Sequence, residues 1–208
     1  MTDTSTILAI ESAIRGGSIS LVRDGREVAN WLGSADVSKA EELLVDIDRM
    51  LTENDMTIRD INHVAVSAGP GSFTGIRIGI ATALGLKNGL GITMSSVSTM
   101  QVIAEAADID GKATVAVPVG RNAICRQIFS RRGTETVAVD KPTTVSPDEF
   151  ATMISDGSKY VLHRSLYEQF DKPVSAIDFG ETISVAIAAA CARDPGKTTD
   201  PLFISKSF

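Results

Sequence analysis

Few residues of this chain are placed to do chemistry, and most of them sit in two short stretches. The first is Glu11-Ser12, just after the apolar run Ile7-Leu-Ala-Ile10. A carboxylate at the end of a strand, followed by small polar residues in a turn, can hold metal-bound phosphate. Here the turn is Ala13-Ile-Arg-Gly-Gly17, with bulky Ile14 and Arg15, and its glycines can equally serve only the tight turn. The second stretch is Gly69-Pro-Gly-Ser-Phe-Thr-Gly75. A glycine loop that opens a helix can cradle phosphate through its N–H groups and the helix dipole. No Lys follows Gly75, as a Gly-x-x-x-x-Gly-Lys-Ser/Thr loop demands, and Gly-x-Gly-x-x-Gly spacing is absent. Ser72 is not in a Gly-x-Ser-x-Gly elbow. A structural or interface role is therefore the expectation for Gly69, Pro70, Gly71, Ser72 and Thr74, ahead of an anion site.

Histidine supply restricts the remaining chemistry. The two histidines, His63 and His163, form no His-x-x-x-His pair, and neither is near a cysteine, so a histidine metal site is not expected. His63 opens a strand and reads as structural rather than as a base. Cys125 and Cys191 lack paired spacing, which fits a reducing compartment. Arg121, Arg126, Arg131 and Arg132 make a candidate basic patch, with a solvated strand face as the plainer reading.

The elements that position these residues follow from periodicity. Strands are predicted at 7–10, 18–22 and 27–32, with the Asp24-Gly25 hairpin signal between the last two. Ala40, Leu43, Leu44, Ile47, Met50 and Leu51 recur at helical spacing over 38–54, and Ser38 with Glu41 forms a capping box. A strand at 63–66, a helix over 75–89, a strand at 92–97 and a helix to about 107 follow. The second half reads as strands at 113–119, 123–130 and 134–139, a helix at 147–155, strands at 160–162 and 174–177, and a helix at 181–192. The tail Leu202-Phe-Ile204 is expected to pair back as a strand. A meander followed by alternating helices and strands, written twice, indicates an α/β fold of two similar lobes, divided as 1–108 and 109–208.

Gly75, Gly79 and Ala83 recur every four residues and give the helix over 75–89 a smooth stripe. Each glycine costs the helix roughly 1 kcal/mol against alanine, so close packing is expected there. The stripe can serve a partner helix: two helices from each of two subunits would make a four-helix interface from Leu43, Leu44, Ile47 and Leu51 with Gly75, Arg77, Gly79 and Ala83. On that expectation Gly79→Arg blocks association and leaves the monomer folded.

A formal net charge of −6 argues against an unaided grip on nucleic acid. The 43% hydrophobic content supplies a core, and no apolar run reaches membrane-spanning length. The polar start Met1-Thr-Asp-Thr-Ser-Thr6 predicts no signal peptide and a cytoplasmic location.

Gly69-Pro-Gly-Ser-Phe-Thr-Gly-Ile-Arg-Ile-Gly79 resembles the TsaB (YeaZ) family, as do Ala81-Thr-Ala-Leu-Gly-Leu86, Gly91-Ile92, Val97-Ser98 and Ile7-Leu-Ala-Ile-Glu-Ser12. The resemblance is specific over 7–105 and weak after about 110, where only Val119-Gly-Arg-Asn122 and Pro201-Leu-Phe203 fit. It implies an actin/Hsp70/sugar-kinase-like (ASKHA) fold of two mixed-sheet lobes, the second reduced. It further implies a noncatalytic role, with no catalytic, cofactor or metal residues, in making tRNA N6-threonylcarbamoyladenosine. The implied partners are the catalytic TsaD-type subunit, bound through the first-lobe helices, and a TsaE-type ATPase. Alone, the chain would form a homodimer by the same surface, and tRNA would be met only through the complex. TsaD carries a metal-binding histidine pair that this chain lacks, which also weighs against a metallopeptidase. The family usually has Asp-Thr where this chain has Glu11-Ser12, and His-Ser where it has Val37-Ser38. An acidic residue usual near the second hairpin is replaced around Gly120-Arg121. An ATP-dependent small-molecule kinase of the same fold is the alternative, with Glu11 as its magnesium carboxylate.

Overall fold

The computed structural model describes residues 5–33, 39–120, 122–154, 158–171, 173, 176–180 and 182–202, with 39–41 as backbone only. Its first sheet grows around β1 (Thr6–Glu11), which is buried along its whole length. A strand with apolar side chains on both faces needs a neighbour on each edge and a layer on each side. β2 (Ser18–Arg23) pairs with it antiparallel and β4 (His63–Ser67) parallel. With β3 (Arg26–Leu32) and β5 (Thr93–Val97) the order is β3-β2-β1-β4-β5. Asp24 and Gly25, both at positive φ, make the tight turn between β2 and β3.

Period two along β1 divides its side chains between two layers. Leu8 and Ile10 meet α1 (Lys39–Glu53), whose Leu43, Ile47, Met50 and Leu51 lie in the same cluster, together with Ala83 of α2 (Phe73–Leu90). Ile7 and Ala9 face the other way, toward Met100 and Ile103 of α3 (Thr99–Ala106) and Ile183 and Ile187 of α6 (Ile183–Arg193). The Ser38 capping residue lies outside the described residues.

The second sheet repeats the plan. β6 (Lys112–Pro118), β7 (Ile124–Arg132) and β8 (Glu135–Ala138) form an antiparallel meander. β10 (Tyr160–Leu162) and β11 (Ala176–Asp178) add in parallel on the other side, giving β11-β10-β6-β7-β8. That is the first sheet's order read backwards, with β9 (Thr143–Val145) added against β7. Its outer helices, α4 (Pro147–Met153) and α5 (Arg164–Gln169), have 7 and 6 residues against 15 and 18 in α1 and α2. The second lobe is thus reduced in its outer helices and in β8, β10 and β11, which have 4, 3 and 3 residues against 7, 5 and 5 in β3, β4 and β5. Phe150 of α4 seals that layer against Tyr160, edge to face at 5.8 Å. β9 and α5 were not expected from the sequence.

α3 and α6 lie between the two sheets. α3 packs on β6 and β8, while α6 crosses back onto β1, β2 and β4 of the first sheet. Ser184 Oγ meets Ser20 Oγ at 2.6 Å, and the Ser184 N–H donates to Ser18 Oγ at 3.1 Å. Beyond α6 the chain runs along the β5 edge: the Ser96 N–H donates to Lys197 O, and the Thr199 N–H to Ser96 Oγ. Leu202 N–H reaches Ala68 O at 2.8 Å, and Phe203 and Ile204 lie outside the described residues. Two mixed sheets of matching order around paired helices are the ASKHA arrangement that the resemblance implies.

Candidate functional site

The ends of the parallel strands β1 and β4 bring the Glu11 turn against the glycine loop. Glu11 is buried there, but its Oε1 accepts the N–H of Ala13 at 2.7 Å and of Ile14 at 3.0 Å. The carboxylate therefore caps its own turn. Ser12 Oγ donates to Gly75 O at 2.8 Å, which ties the turn to the first turn of α2. Three donors of the glycine loop are used within the chain in the same way. Ser72 N–H goes to Ala13 O, Gly69 N–H to Ser67 Oγ, and Gly75 N–H to Ser72 Oγ, the α2 cap. A cradle draws on free, converging N–H groups, and those of Gly69, Ser72 and Gly75 are bound within the chain.

The glycines are explained by this contact. A Cβ on Gly75 would stand 2.0 Å from Ser12 O, and one on Gly71 2.4 Å from Ala13 O. A Cβ on Gly79 would stand 2.2 Å from Ser12 Oγ. The Gly75–Gly79–Ala83 stripe is therefore buried against this chain's own β1 turn and β4. This corrects the expectation that it stays open for a partner helix. It also corrects the Gly79→Arg expectation, because an arginine there would displace Ser12 inside the monomer.

The other expected interface residues divide by helical phase. Leu43, Ile47 and Leu51 are buried in the core, so they too are corrected as contact residues. Leu44, 62% exposed, and Arg77 face out. They are joined by Val45, Phe73 and Leu84, which sequence reasoning missed. The Arg77 guanidinium stacks 3.8 Å from the Phe73 ring centroid. Phe73, Arg77, Ala81 and Leu84 step around α2 opposite the glycine stripe. Locating the stripe's packing partner first would have exposed them by subtraction. Pro70 is buried and Thr74 exposed at the same loop.

Both histidines are engaged in structure. His63 Nε2 meets Ser95 Oγ at 2.9 Å, and burial lowers its pKa. His163 caps α5, its Nδ1 accepting the Ser165 N–H, and burial pulls it down to about 4. His63 opens β4 of the first sheet and His163 caps α5 beside the second, so they do not fit the metal of a histidine-pair enzyme. Glu11 Oε1, already accepting two N–H groups of its own turn, likewise does not fit the role of a magnesium carboxylate. Among the described residues no group of three or more His, Cys, Asp or Glu side chains could hold a metal ion. Burial raises both thiols, Cys125 and Cys191, to about 12. Arg126 pairs with Asp140 at 3.2 Å and Arg131 with Asp108 at 2.6 Å, which breaks up the supposed basic patch; Arg121 lies outside the described residues. No helix among the described residues is long and apolar enough to cross a membrane.

Comparison with known proteins identifies the family. A family model described as TsaD: tRNA N6-adenosine threonylcarbamoyltransferase matches residues 35–193. The chain is 38% identical over 101 residues to the tRNA threonylcarbamoyladenosine biosynthesis protein TsaB of Escherichia coli (strain K12). That match covers 49% of this chain and 43% of the relative. Against the protein of the same name from Bacillus subtilis (strain 168) it is 31% identical over 99 residues, covering 48% and 43%. The chain thus spans less than half the length of these curated relatives. In structure it is similar to YeaZ from Pseudomonas aeruginosa, with a TM-score of 0.67 at 20% identity, over 91% of this chain and 93% of that one.

Proposed function

The chain belongs to the TsaD: tRNA N6-adenosine threonylcarbamoyltransferase family, on its TsaB (YeaZ) side, and from that premise we propose that it is a noncatalytic subunit for tRNA N6-threonylcarbamoyladenosine synthesis. In this reading it activates a TsaD-type catalytic subunit by binding it, with a TsaE-type ATPase joining the pair. One observation carries the reading. Two neighbouring helices, α1 and α2, leave Leu44, Val45, Phe73 and Leu84 exposed, while Ser12 and Ala13 bind the glycine loop that opens α2. Large apolar side chains gathered on one surface mark a protein contact. Phe73 and Arg77 are of the types enriched at interface centres. The same face would close a homodimer when the partner is absent.

The test is tRNA modification reconstituted from threonylcarbamoyl-adenylate, ATP and the TsaD-type and TsaE-type proteins of the same organism, with and without this chain. The expected result is threonylcarbamoyladenosine in hydrolysed tRNA only when the chain is present. Equal product without it would overturn the reading. Calorimetric titration with ATP–magnesium separates the kinase alternative: heat of binding that Glu11→Gln abolishes would favour a kinase.

A further inference from the structure

A cavity of about 660 Å³ opens between the two sheets, where the end strands β5 and β8 face α3 and α6. The volume falls within the roughly 300–1,000 Å³ of small-molecule sites, and junctions between lobes are where such sites concentrate. It is separate from the outward face of α1 and α2 and from the Glu11 turn. Its apolar wall comes from Val97, Phe129, Ala138, Ala190 and Cys191.

The charges around it are balanced and come from separate elements. Arg131 of β7, Arg193 of α6 and Lys197 of the tail stand with Glu105 of α3, Glu135 of β8 and Asp194. A simple anion would meet three carboxylates there, and a simple amine three cations. A molecule bearing both charges close together can answer both. Glu105 is the fixed point: Gln101 Nε2 donates to its Oε1 at 2.7 Å and to Thr136 O at 2.8 Å. Its other oxygen holds Arg193, which is 65% exposed. The Lys197–Asp194 pair at 3.4 Å is equally open to water. Such pairs contribute little in solvent and can be exchanged for a ligand's charges.

We propose that this cavity binds a small zwitterion of the α-amino acid class. Its ammonium takes the place of Arg193 beside Glu105. Its carboxylate takes the freed Arg193 and Lys197, and its side chain lies on the apolar wall. No covalent step is involved.

The test is thermal denaturation and calorimetry of the full chain with the common L-amino acids. Each is compared with its decarboxylated amine, its desamino acid and inorganic phosphate. For at least one amino acid, saturable heat in calorimetry is expected, with a rise in Tm of roughly 5–10 °C at about a hundredfold its Kd. Glu105→Gln and Arg193→Gln should each weaken binding at least about tenfold. Ala138→Trp should fill the cavity from its exposed edge and abolish binding without loss of fold. The proposal is overturned if no amino acid gives saturable heat or shifts Tm at concentrations on the order of 10 mM. It is equally overturned if an amine, a desamino acid or phosphate binds as tightly as the zwitterion, or if Ala138→Trp binds like the wild type.

Discussion

Ser12 determines what the glycine residues opposite it can be. Its carbonyl stands where a Gly75 side chain would go, and its hydroxyl where a Gly79 side chain would go. These two cases differ, because a carbonyl cannot move without the backbone while a hydroxyl can be removed. Gly75→Ala is expected to cost about 2–3 kcal/mol in any background. Gly79→Ala should cost less in a Ser12→Ala chain than in the wild type, a positive coupling that a double-mutant cycle by urea denaturation would measure. Independent, additive effects would contradict the contact. The glycine spacing in the sequence revealed a close approach but not its owner, since own backbone and partner helix demand the same smooth surface. His163 gives a second residue-scale outcome. The folded chain holds this base near 4, whereas an unfolded one takes a proton near 6.5. The stability from neutral His163 is therefore complete above about pH 6.5 and is lost as pH falls toward 4, on the order of 3 kcal/mol in all. His163→Asn, which keeps a capping acceptor, should flatten that part of the stability–pH curve. An unchanged slope would assign the loss to other groups.

At the scale of elements, α1 and α2 carry the functional reading because each has two faces with different duties. The inward faces, Leu43–Ile47–Leu51 and Gly75–Gly79–Ala83, were legible as periodic stripes. Their assignment to a partner was not, because a stripe is satisfied equally by the chain's own sheet. The outward residues were harder to read. Val45 and Phe73 fall off the apolar period, and Leu84 stands between alanine and glycine. β9 and α5 escaped for a simpler reason: segments of 3 and 6 residues are too short to establish a period. Leu84→Glu should leave the midpoint of chemical denaturation within about 0.5 kcal/mol of wild type, since its side chain is 43% exposed. The same change should abolish self-association in sedimentation velocity. A large loss of stability would mean that the outward face also serves the fold.

At the scale of the molecule, the chain order conceals a dependence between the halves. The strand pattern of each half was readable, and the repetition of the meander announced two lobes. That α6, near the end of the chain, covers Ile7, Ala9 and Ala65 of the first sheet was not readable, because an apolar helix suits either sheet. We propose 1–108 and 109–208 as lobes in sequence, yet residues 1–108 alone should show no cooperative unfolding transition by circular dichroism. A sharp transition would make the first lobe self-sufficient. The most direct test of the central claim is the affinity between this chain and the TsaD-type protein of its own organism, with wild type and Leu84→Glu measured side by side. The account predicts a stable wild-type complex, weakened at least about tenfold by the substitution, which corresponds to about 1.4 kcal/mol or more at the interface. No wild-type complex, or equal affinity for the two proteins, would contradict it.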